Sequence, residues 1–182
     1  TLDRFVEDGA LLQLGPRVER PDGAAKVVLW QGLPKADKFE LVVQKAVELG
    51  VSAIVPVGCE RSVVKLDAKK AADRVERWQK IADEAARQCG RADVATIEPV
   101  TTLEAALRLP AGPEEVRLLL DEEEKTVRLR DALAAPDRRY VVLVGPEGGF
   151  TRGEVEAAAR AGFTRVTLGP RILRTETVGL AV

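Results

Sequence analysis

The C-terminal part of the chain, residues 140–182, contains two glycine turns that each follow a predicted strand. The run from Tyr140 to Val144 consists only of β-forming residues, which is typical of a strand buried on both faces of a parallel sheet. The turn after it, GPEGGF at 145–150, is rich in glycine, which has no side chain and lets a ligand approach the backbone closely. The second turn, at Gly169, follows a strand predicted at 165–168. Because open α/β sheets bind ligands at the carboxyl ends of their strands, the two turns together predict a binding site.

Glycine turns after buried strands are also ordinary in α/β proteins, where they only redirect the chain. The second turn is harder to explain in this way, because it leads into the sequence RILRTET at 171–177. Neither turn fits the P-loop or the dinucleotide-binding glycine signature, which cradle phosphates. The pattern therefore favours a ligand without a phosphate group.

Strand and helix patterns alternate through the rest of the main region. Strands are predicted at 25–30, 51–57, 93–99 and 116–120, and helices at 35–49, 69–89, 101–109 and 125–134, with a further helix after the capping box of Thr151 and Glu154. The acidic run at 121–124 is expected to precede the fourth helix, where it suits the helix dipole. Trp78 lies on the apolar stripe of its helix and is predicted to be in the core. The alternation predicts an α/β fold with a mainly parallel sheet of about five or six strands and helices on both faces.

The composition limits the chemistry that is possible. The chain of 182 residues has no histidine, which excludes Ser-His and Cys-His nucleophile pairs and histidine-ligated metal sites, and no metal site is predicted. Its net charge of −1 argues against nucleic-acid binding unless basic residues are clustered locally. No apolar run approaches the ~20 residues of a membrane span. Cys59 and Cys89 form no CxxC pattern, which favours reduced thiols and a cytoplasmic protein.

The motifs GPEGGF at 145–150 and LGPRILRTET at 168–177 resemble those of the SPOUT (trefoil-knot) methyltransferases. Within that superfamily, the chain is similar to the family that methylates N3 of a uridine in bacterial 16S ribosomal RNA with S-adenosylmethionine. Shorter matches at 44–50, 60–62 and 77–91 extend the resemblance over nearly the whole chain from Val27. The resemblance implies a C-terminal knot, which periodicity cannot reveal, and a homodimer with the last helix in its interface.

The resemblance also implies a pocket for S-adenosylmethionine at the ends of three strands. Backbone groups of the glycine turns and nearby apolar side chains would hold the adenine and ribose. The expected cofactor-binding residues are Leu120, Val144, Gly145, Pro146, Glu147, Gly148, Gly149, Leu168, Gly169, Arg171, Ile172 and Leu173. Methyl transfer from a sulfonium needs no metal, because it is an in-line displacement that depends on positioning.

Methylation at N3 of uridine requires loss of the imide proton, which leaves negative charge on the ring oxygens. An arginine beside the methyl group would stabilise this charge, and Arg174 is the first candidate, followed by Arg171 and Arg91. A carboxylate could accept the proton, and Glu176 is preferred to Glu147. Residues 175 and 176 are equally suited to capping the last helix, and the two roles are compatible.

Expected RNA-binding residues are Gln88 and Arg91, at the end of the long helix, and Arg61. A solvated helix surface explains Gln88 and Arg91 equally well. The family also carries a small N-terminal β-barrel of the PUA-like kind. Residues 1–23 resemble the tail of such a barrel, most of which would be missing, and the methyltransferase domain would occupy 24–182, with the boundary near Pro21-Asp22-Gly23.

Two other functions remain open from the residues alone. A doubly wound transferase that uses a nucleotide would share the sheet and the glycine turns, although the phosphate signatures are missing. A non-catalytic RNA-binding protein of the same fold is the second alternative, and it would be expected to carry a stronger basic patch. The residues do not decide which nucleotide is modified, or whether the substrate is naked RNA or an assembled ribosomal particle.

Overall fold

The computed structural model describes residues 2–13, 26–35, 38–64, 66–133 and 138–181. At the N-terminus, β1 (Leu2–Val6) and β2 (Gly9–Leu12) form an antiparallel hairpin on which Phe5 is exposed. This hairpin lies within residues 1–23, the segment that resembles the tail of a β-barrel. The predicted boundary at 21–23 lies outside the described residues, and the barrel stays a prediction.

The rest of the described chain forms one parallel sheet flanked by helices. Its strands are β3 (Lys26–Gly32), β4 (Ala53–Gly58), β5 (Thr96–Ile97), β6 (Thr101–Thr102), β7 (Glu115–Leu120), β8 (Arg139–Val144) and β9 (Phe163–Val166). The helices are α1 (Lys38–Glu48), α2 (Ala68–Cys89), α3 (Leu103–Leu107), α4 (Leu129–Ala132), α5 (Arg152–Arg160) and α6 (Thr175–Ala181). The strand order is β5-β4-β3-β8-β7-β9, β6 pairs with β4, and all pairs are parallel. Within the described residues, no helix is long and apolar enough to cross a bilayer.

Side chains alternate between two cores on the two faces of the sheet. In β8, Val142 belongs to the core beneath α1 and α2, whereas Leu143 belongs to the core beneath α3 and α5. Trp78 is 1% exposed in the first core, with its ring centroid 4.2 Å from that of Phe39, which confirms its predicted place. Burial on both faces explains why the central strands are unbroken apolar runs. The predicted fold class is confirmed, with seven strands in the described part of the sheet in place of five or six, because the two-residue β6 at Thr101–Thr102 was predicted as the start of a helix.

The predicted helix at 125–134 is wrong in extent. The helix there is α4, which has four residues and begins at Leu129. Thr167 explains the difference, because its N–H donates to the carbonyl of Val127 (2.8 Å) and its carbonyl accepts from the N–H of Leu129 (2.9 Å). This pairing with a distant segment is strand-like and holds the backbone extended. A tertiary contact thus overrides the local helical preference.

Glu124 was expected near a helix N-terminus, but it lies in a turn, because the segment that follows it is held extended by Thr167. Its carboxylate accepts hydrogen bonds from the hydroxyl and N–H of Thr126 and from the N–H of Val127. These donors lower the pKa of Glu124 to about 2. The acidic run therefore stabilises a turn in place of a helix end.

The two cysteines are free and are expected to differ in reactivity. Burial, with the nearby negative charge of Glu154, raises the pKa of Cys59 to about 12, whereas Cys89 is exposed at the end of α2. Because the thiolate is the nucleophile, iodoacetamide at about pH 8 should alkylate Cys89 first and leave Cys59 unmodified. Peptide mass spectrometry over a time course measures this, with a urea-unfolded sample as the control in which both react. Equal rates in the folded protein would contradict the burial of Cys59.

Candidate functional site

The carboxyl ends of β7, β8 and β9 surround a cleft of ≈ 1000 Å³. Three segments line it: the loop after β7, the glycine turn after β8 and the segment that leads from β9 to α6. Since β7 lies between β8 and β9 in the parallel sheet, the three strand ends meet at one edge. Ligands of open α/β sheets bind at this edge.

Most of the predicted cofactor-binding residues line this cleft. They are Leu120, Val144, Gly145, Pro146, Glu147, Gly149, Leu168, Gly169, Arg171, Ile172 and Leu173. The exception is Gly148, whose carbonyl points to Arg61 and accepts a hydrogen bond from its Nη1 at 3.0 Å. The structure thus brings the three predicted groups of residues together, and their contact with a cofactor stays a prediction.

The glycine turn packs so closely on β3 that side chains are excluded. A Cβ on Gly32, the last residue of β3, would lie 2.6 Å from the backbone nitrogen of Pro146 and 2.9 Å from the carbonyl carbon of Gly145. Gly149 has a φ of +64°, which favours glycine, and its N–H donates to the carbonyl of Pro146 at 2.9 Å. The turn is therefore a compact backbone surface at the floor of the cleft.

Arg61, which was expected to bind RNA, supports this turn from the side. Its Nη1 donates to the carbonyls of Gly148 (3.0 Å) and Phe150 (3.2 Å), while the guanidinium still lines the cleft. Its neighbour Glu60 donates its N–H to Glu154 at 2.8 Å, and Glu154 also completes the predicted capping box of α5. The loop after β4 is thereby attached to both ends of the segment from the glycine turn to α5.

Arg174 lines the cleft immediately before α6, and its side chain is exposed. Within the described residues, its guanidinium has no hydrogen bond or ion pair with another side chain. Its backbone is fixed, because its carbonyl accepts from the N–H groups of Thr177 (2.8 Å) and Val178 (2.9 Å). A guanidinium whose backbone is fixed and whose charge is not paired within the described residues is suited to stabilising negative charge on a bound ligand.

The two candidate bases share one ammonium group. Nζ of Lys38 lies 3.3 Å from Glu147 and 3.3 Å from Glu176. Glu147 lines the cleft, whereas Glu176 does not, and its side chain is 13% exposed. The buried Oε2 of Glu176 has no hydrogen bond within the described residues, so its approach to Lys38 is an ion pair without hydrogen-bond geometry.

These contacts determine the charges of Lys38 and Glu147 at neutral pH. The ion pairs with Glu147 and, to a smaller extent, Glu176 raise the pKa of Lys38 above its usual 10.5. Burial alone would raise the pKa of Glu147, but the backbone N–H of Lys35 and the Lys38 ammonium lower it below 4.5. At any pH between the pKa of Glu147 and the pKa of Lys38, a range that includes neutral pH, both side chains are charged. Glu147 is therefore an acceptor of hydrogen bonds and only a weak base.

Gln88 and Arg91 lie away from the cleft. Nη1 of Arg91 donates to the carbonyls of Val47 (2.7 Å) and Val51 (2.9 Å), and Nη2 pairs with Asp93 at 2.7 Å. Those carbonyls precede β4, which places Arg91 at the amino-end edge of the sheet, opposite the glycine turns. Within one chain, Arg91 therefore cannot reach a ligand beside Arg174. RNA binding by Gln88 and Arg91 stays a prediction.

Several residues at the site were not predicted from the sequence. Lys38 and Gln31 have no motif that marks them, although a glutamine that ends the apolar run of β3 is an unusual polar residue for a buried strand. Asp121 was expected to cap a helix, but it pairs with Arg165 at 2.7 Å inside the cleft. Among the described residues, no group of three or more cysteine, aspartate or glutamate side chains is placed to hold a metal ion.

A sequence model of the RNA methyltransferase domain matches residues 21–182. The chain belongs to this family. It is 39% identical over 160 residues to ribosomal RNA small subunit methyltransferase E of Bacillus subtilis, and 34% identical over 155 residues to the protein of that name from Mycobacterium tuberculosis. The alignments cover 85% and 83% of this chain but only 62% and 58% of those relatives, so the chain spans less than two thirds of their length.

Solved structures of RNA methyltransferases have the same fold. The crystal structure of a ribosomal RNA small subunit methyltransferase E from Neisseria gonorrhoeae bound to S-adenosyl methionine is 39% identical, with a TM-score of 0.79 over 90% of this chain and 66% of that chain. A Legionella pneumophila protein assigned as a methyltransferase, in complex with the same cofactor, is 34% identical with a TM-score of 0.80, over 86% of this chain and 63% of that chain. The predicted SPOUT-like fold is confirmed by these neighbours, and the knot itself stays a prediction.

Proposed function

We propose that this chain is the catalytic domain of an S-adenosylmethionine-dependent methyltransferase that modifies ribosomal RNA of the small subunit at N3 of a uridine. The observation that carries the proposal is the cleft, in which three segments separated in the sequence meet beside Arg174, whose guanidinium has no side-chain partner among the described residues. Support comes from the neighbours with bound cofactor, which share 34–39% of their residues with this chain. The uridine-N3 specificity rests on the family resemblance.

The cleft suits the cofactor in size and in chemistry. Its volume of ≈ 1000 Å³ is at the upper end of the range for small-molecule sites. Backbone groups of the glycine turn would bind the polar edge of adenine, while Leu120, Val144 and Ile172 would pack against its faces. The carboxylate of Glu122, which lies close to Gly149, would accept hydrogen bonds from the ribose hydroxyls.

The acceptor chemistry assigns separate roles to Arg174 and Glu147. As N3 of the uridine loses its proton and attacks the methyl group, negative charge spreads over the two ring oxygens. Arg174 would stabilise this charge. The ionised Glu147 would accept the hydrogen bond from N3–H, take up the proton and pass it to water, while the bond between the methyl group and the sulfonium breaks and leaves a neutral thioether. Because Glu147 is a weak base, Arg174 carries the larger share of the rate enhancement. Glu176 would act through Lys38 in place of direct contact with the base.

The proposed partners follow from this activity. The substrate is 16S ribosomal RNA, either naked or in the small ribosomal subunit, and the location is the cytoplasm. A homodimer is also proposed, with α6 at its interface as the resemblance implies. The side chain of Ile172, just before α6, is 79% exposed, and burial by a second copy would remove this apolar surface from water.

Binding of the cofactor is tested by calorimetric titration with S-adenosylmethionine, with ATP and NAD as comparators. We expect saturable binding of S-adenosylmethionine alone. Gly148→Val should abolish it, because a Cβ at Gly148 would lie 3.0 Å from Cβ of Arg61 and displace the turn. Absence of binding by the folded wild-type chain would overturn the proposal and favour a non-catalytic RNA-binding protein.

The acceptor atom is tested with radiolabelled S-adenosylmethionine and small ribosomal subunits that lack the modification. Nucleoside digestion followed by chromatography separates 3-methyluridine from 5-methyluridine and 2′-O-methyluridine. The proposal predicts 3-methyluridine only. A different methylated nucleoside would retain the methyltransferase activity and refute the N3 assignment.

Arg174→Ala is expected to lower kcat by about 10²-fold to 10³-fold, because it removes the charge that meets the developing anion. The Kd for S-adenosylmethionine should change by less than about threefold, since the effect lies in the transition state. Arg130→Ala is the matched control, because Arg130 is an exposed arginine that does not line the cleft. Equal losses of turnover and cofactor affinity would assign Arg174 to the cofactor pocket instead.

A further inference from the structure

Gln31 is a fully buried polar residue at the end of β3, in the middle of the sheet. Its side chain is 0% exposed, and its Nε2 donates to Oγ1 of Thr175 at 2.9 Å and to the carbonyl of Gly32 at 3.1 Å. Its Oε1 is buried and has no donor within the described residues. An unpaired buried acceptor is costly, so core stability alone would favour an apolar side chain at this position.

Thr175, the first residue of α6, connects Gln31 to the glycine turn. It is 6% exposed, and its hydroxyl donates to the carbonyl of Gly145 at 2.5 Å. A hydroxyl has one proton to donate and can accept at the same time, so both of its contacts are satisfied. Gln31, Thr175 and Gly145 thus form a buried hydrogen-bond chain that joins β3, the glycine turn and α6.

Two glycines allow this hydrogen-bond chain to close. A Cβ on Gly179, one turn into α6, would lie 2.8 Å from Oε1 of Gln31 and 3.3 Å from Val42. A Cβ on Gly32 would collide with the glycine turn. Both α6 and the turn therefore approach β3 as closely as the backbone permits, which removes the freedom of either to shift.

We propose that Gln31 and Thr175 are positioning residues that hold the start of α6 against the glycine turn and thereby place Arg174 over the cofactor cleft. Arg174 directly precedes Thr175, and its carbonyl accepts two N–H groups of α6, so fixing Thr175 fixes the backbone from which the guanidinium extends. The inference rests on the proposed methyltransferase function. It explains why the chain retains a polar group with an unpaired atom between two segments of the site.

Thr175→Val tests the proposal, because valine keeps the shape of threonine and removes the hydroxyl. It removes one of the two acceptors of the Gln31 amide and the hydroxyl that donates to the Gly145 carbonyl, and we expect the Kd for S-adenosylmethionine to rise by roughly tenfold or more. The value of kcat should fall further, because Arg174 is displaced. Thr175→Ser, which keeps the hydroxyl, should restore both values. Thr177→Val is the matched control, an exposed threonine in the same helix.

Hydrogen exchange measures the same coupling without cofactor. Thr175→Val should accelerate exchange of the amides of Gly149 and Val178, on the two segments that the hydrogen-bond chain joins, and Thr177→Val should not. If Thr175→Val is too unstable to measure, Gln31→Leu removes the other side-chain member. Wild-type affinity, turnover and exchange in a folded Thr175→Val would overturn the proposal. A wild-type chain that binds no S-adenosylmethionine would refute the proposed function, while exchange would still decide whether the two segments are coupled.

Discussion

Gly32→Ala is expected to weaken S-adenosylmethionine binding strongly, because the added methyl group would collide with the glycine turn. The new Cβ would lie 2.6 Å from the backbone nitrogen and 2.7 Å from Cδ of Pro146. These atoms belong to the backbone and the proline ring, so they cannot move aside as a flexible side chain would. Relief requires separation of the glycine turn from β3, although β3 and β8 are paired up to Gln31 and Val144.

The expected loss of affinity is on the order of 100-fold or more, since overpacking costs about 1–3 kcal/mol and here acts on the floor of the cleft. Calorimetry measures the affinity, and circular dichroism verifies that the protein is folded. Gly58→Ala is the matched control, because Gly58 ends the adjacent strand β4 and its Cβ would lie at an ordinary 3.6 Å from Thr101. Wild-type affinity for Gly32→Ala would show that the turn is not held as the structure has it.

Arg117→Met is expected to produce the largest loss of stability. Arg117 is 6% exposed, pairs with Glu115 at 2.7 Å, and donates to the carbonyls of Ala161 and Leu109, each at 3.1 Å. Its guanidinium also lies 5.9 Å from the ring centroid of Trp30. The residue therefore joins β7 to the chain segments that follow α3 and α5. Its removal leaves two carbonyls unpaired and Glu115, whose side chain is 7% exposed, with only the more distant Arg139 as a partner.

The free energy of unfolding should fall by about 3–5 kcal/mol, the range for removing one partner of a buried ion pair. Urea denaturation measures it, with Arg108→Ala as a control that removes the exposed pair with Glu104 and should cost less than about 1 kcal/mol. Since Arg117 does not line the cleft, the folded variant should retain its cofactor affinity. A change no larger than that of the control would contradict this role.

The fold class was predictable because both faces of the central sheet are buried. Uniform apolar runs such as 140–144 can only be internal strands, and helical stripes such as that of Trp78 alternate with them. The ends of helices and strands were less predictable where a segment pairs with another segment that is distant in the sequence. The helix predicted at 125–134 failed because Thr167 pairs with Val127 and Leu129, and nothing local to either segment indicates that pairing.

The candidate site was predictable to the extent that its residues lie in turns with unusual glycine content. The predicted cofactor residues of the glycine turn, except Gly148, and those of 168–173 line one cleft with Arg174, and their contact with a cofactor stays a prediction. Arg91 was not predictable from its charge, since a basic residue after a helix is equally suited to RNA or to capping backbone carbonyls. Its hydrogen bonds to the carbonyls of Val47 and Val51 correspond to the second use, and its binding to RNA stays a prediction.

The sequence by itself determined the α/β alternation, the two glycine turns and the side chains that the cleft can present, because these depend on local propensity, hydrophobic period and residue type. Only the tertiary structure decided which of them meet. The order of β8, β7 and β9 in the sheet brings three strand ends together. The position of α6 places Thr175 against Gly145. Lys38, at the start of α1, forms ion pairs with both Glu147 and Glu176. These contacts join residues 24 or more positions apart, and their energies depend on burial and distance in the folded chain, which local sequence does not encode.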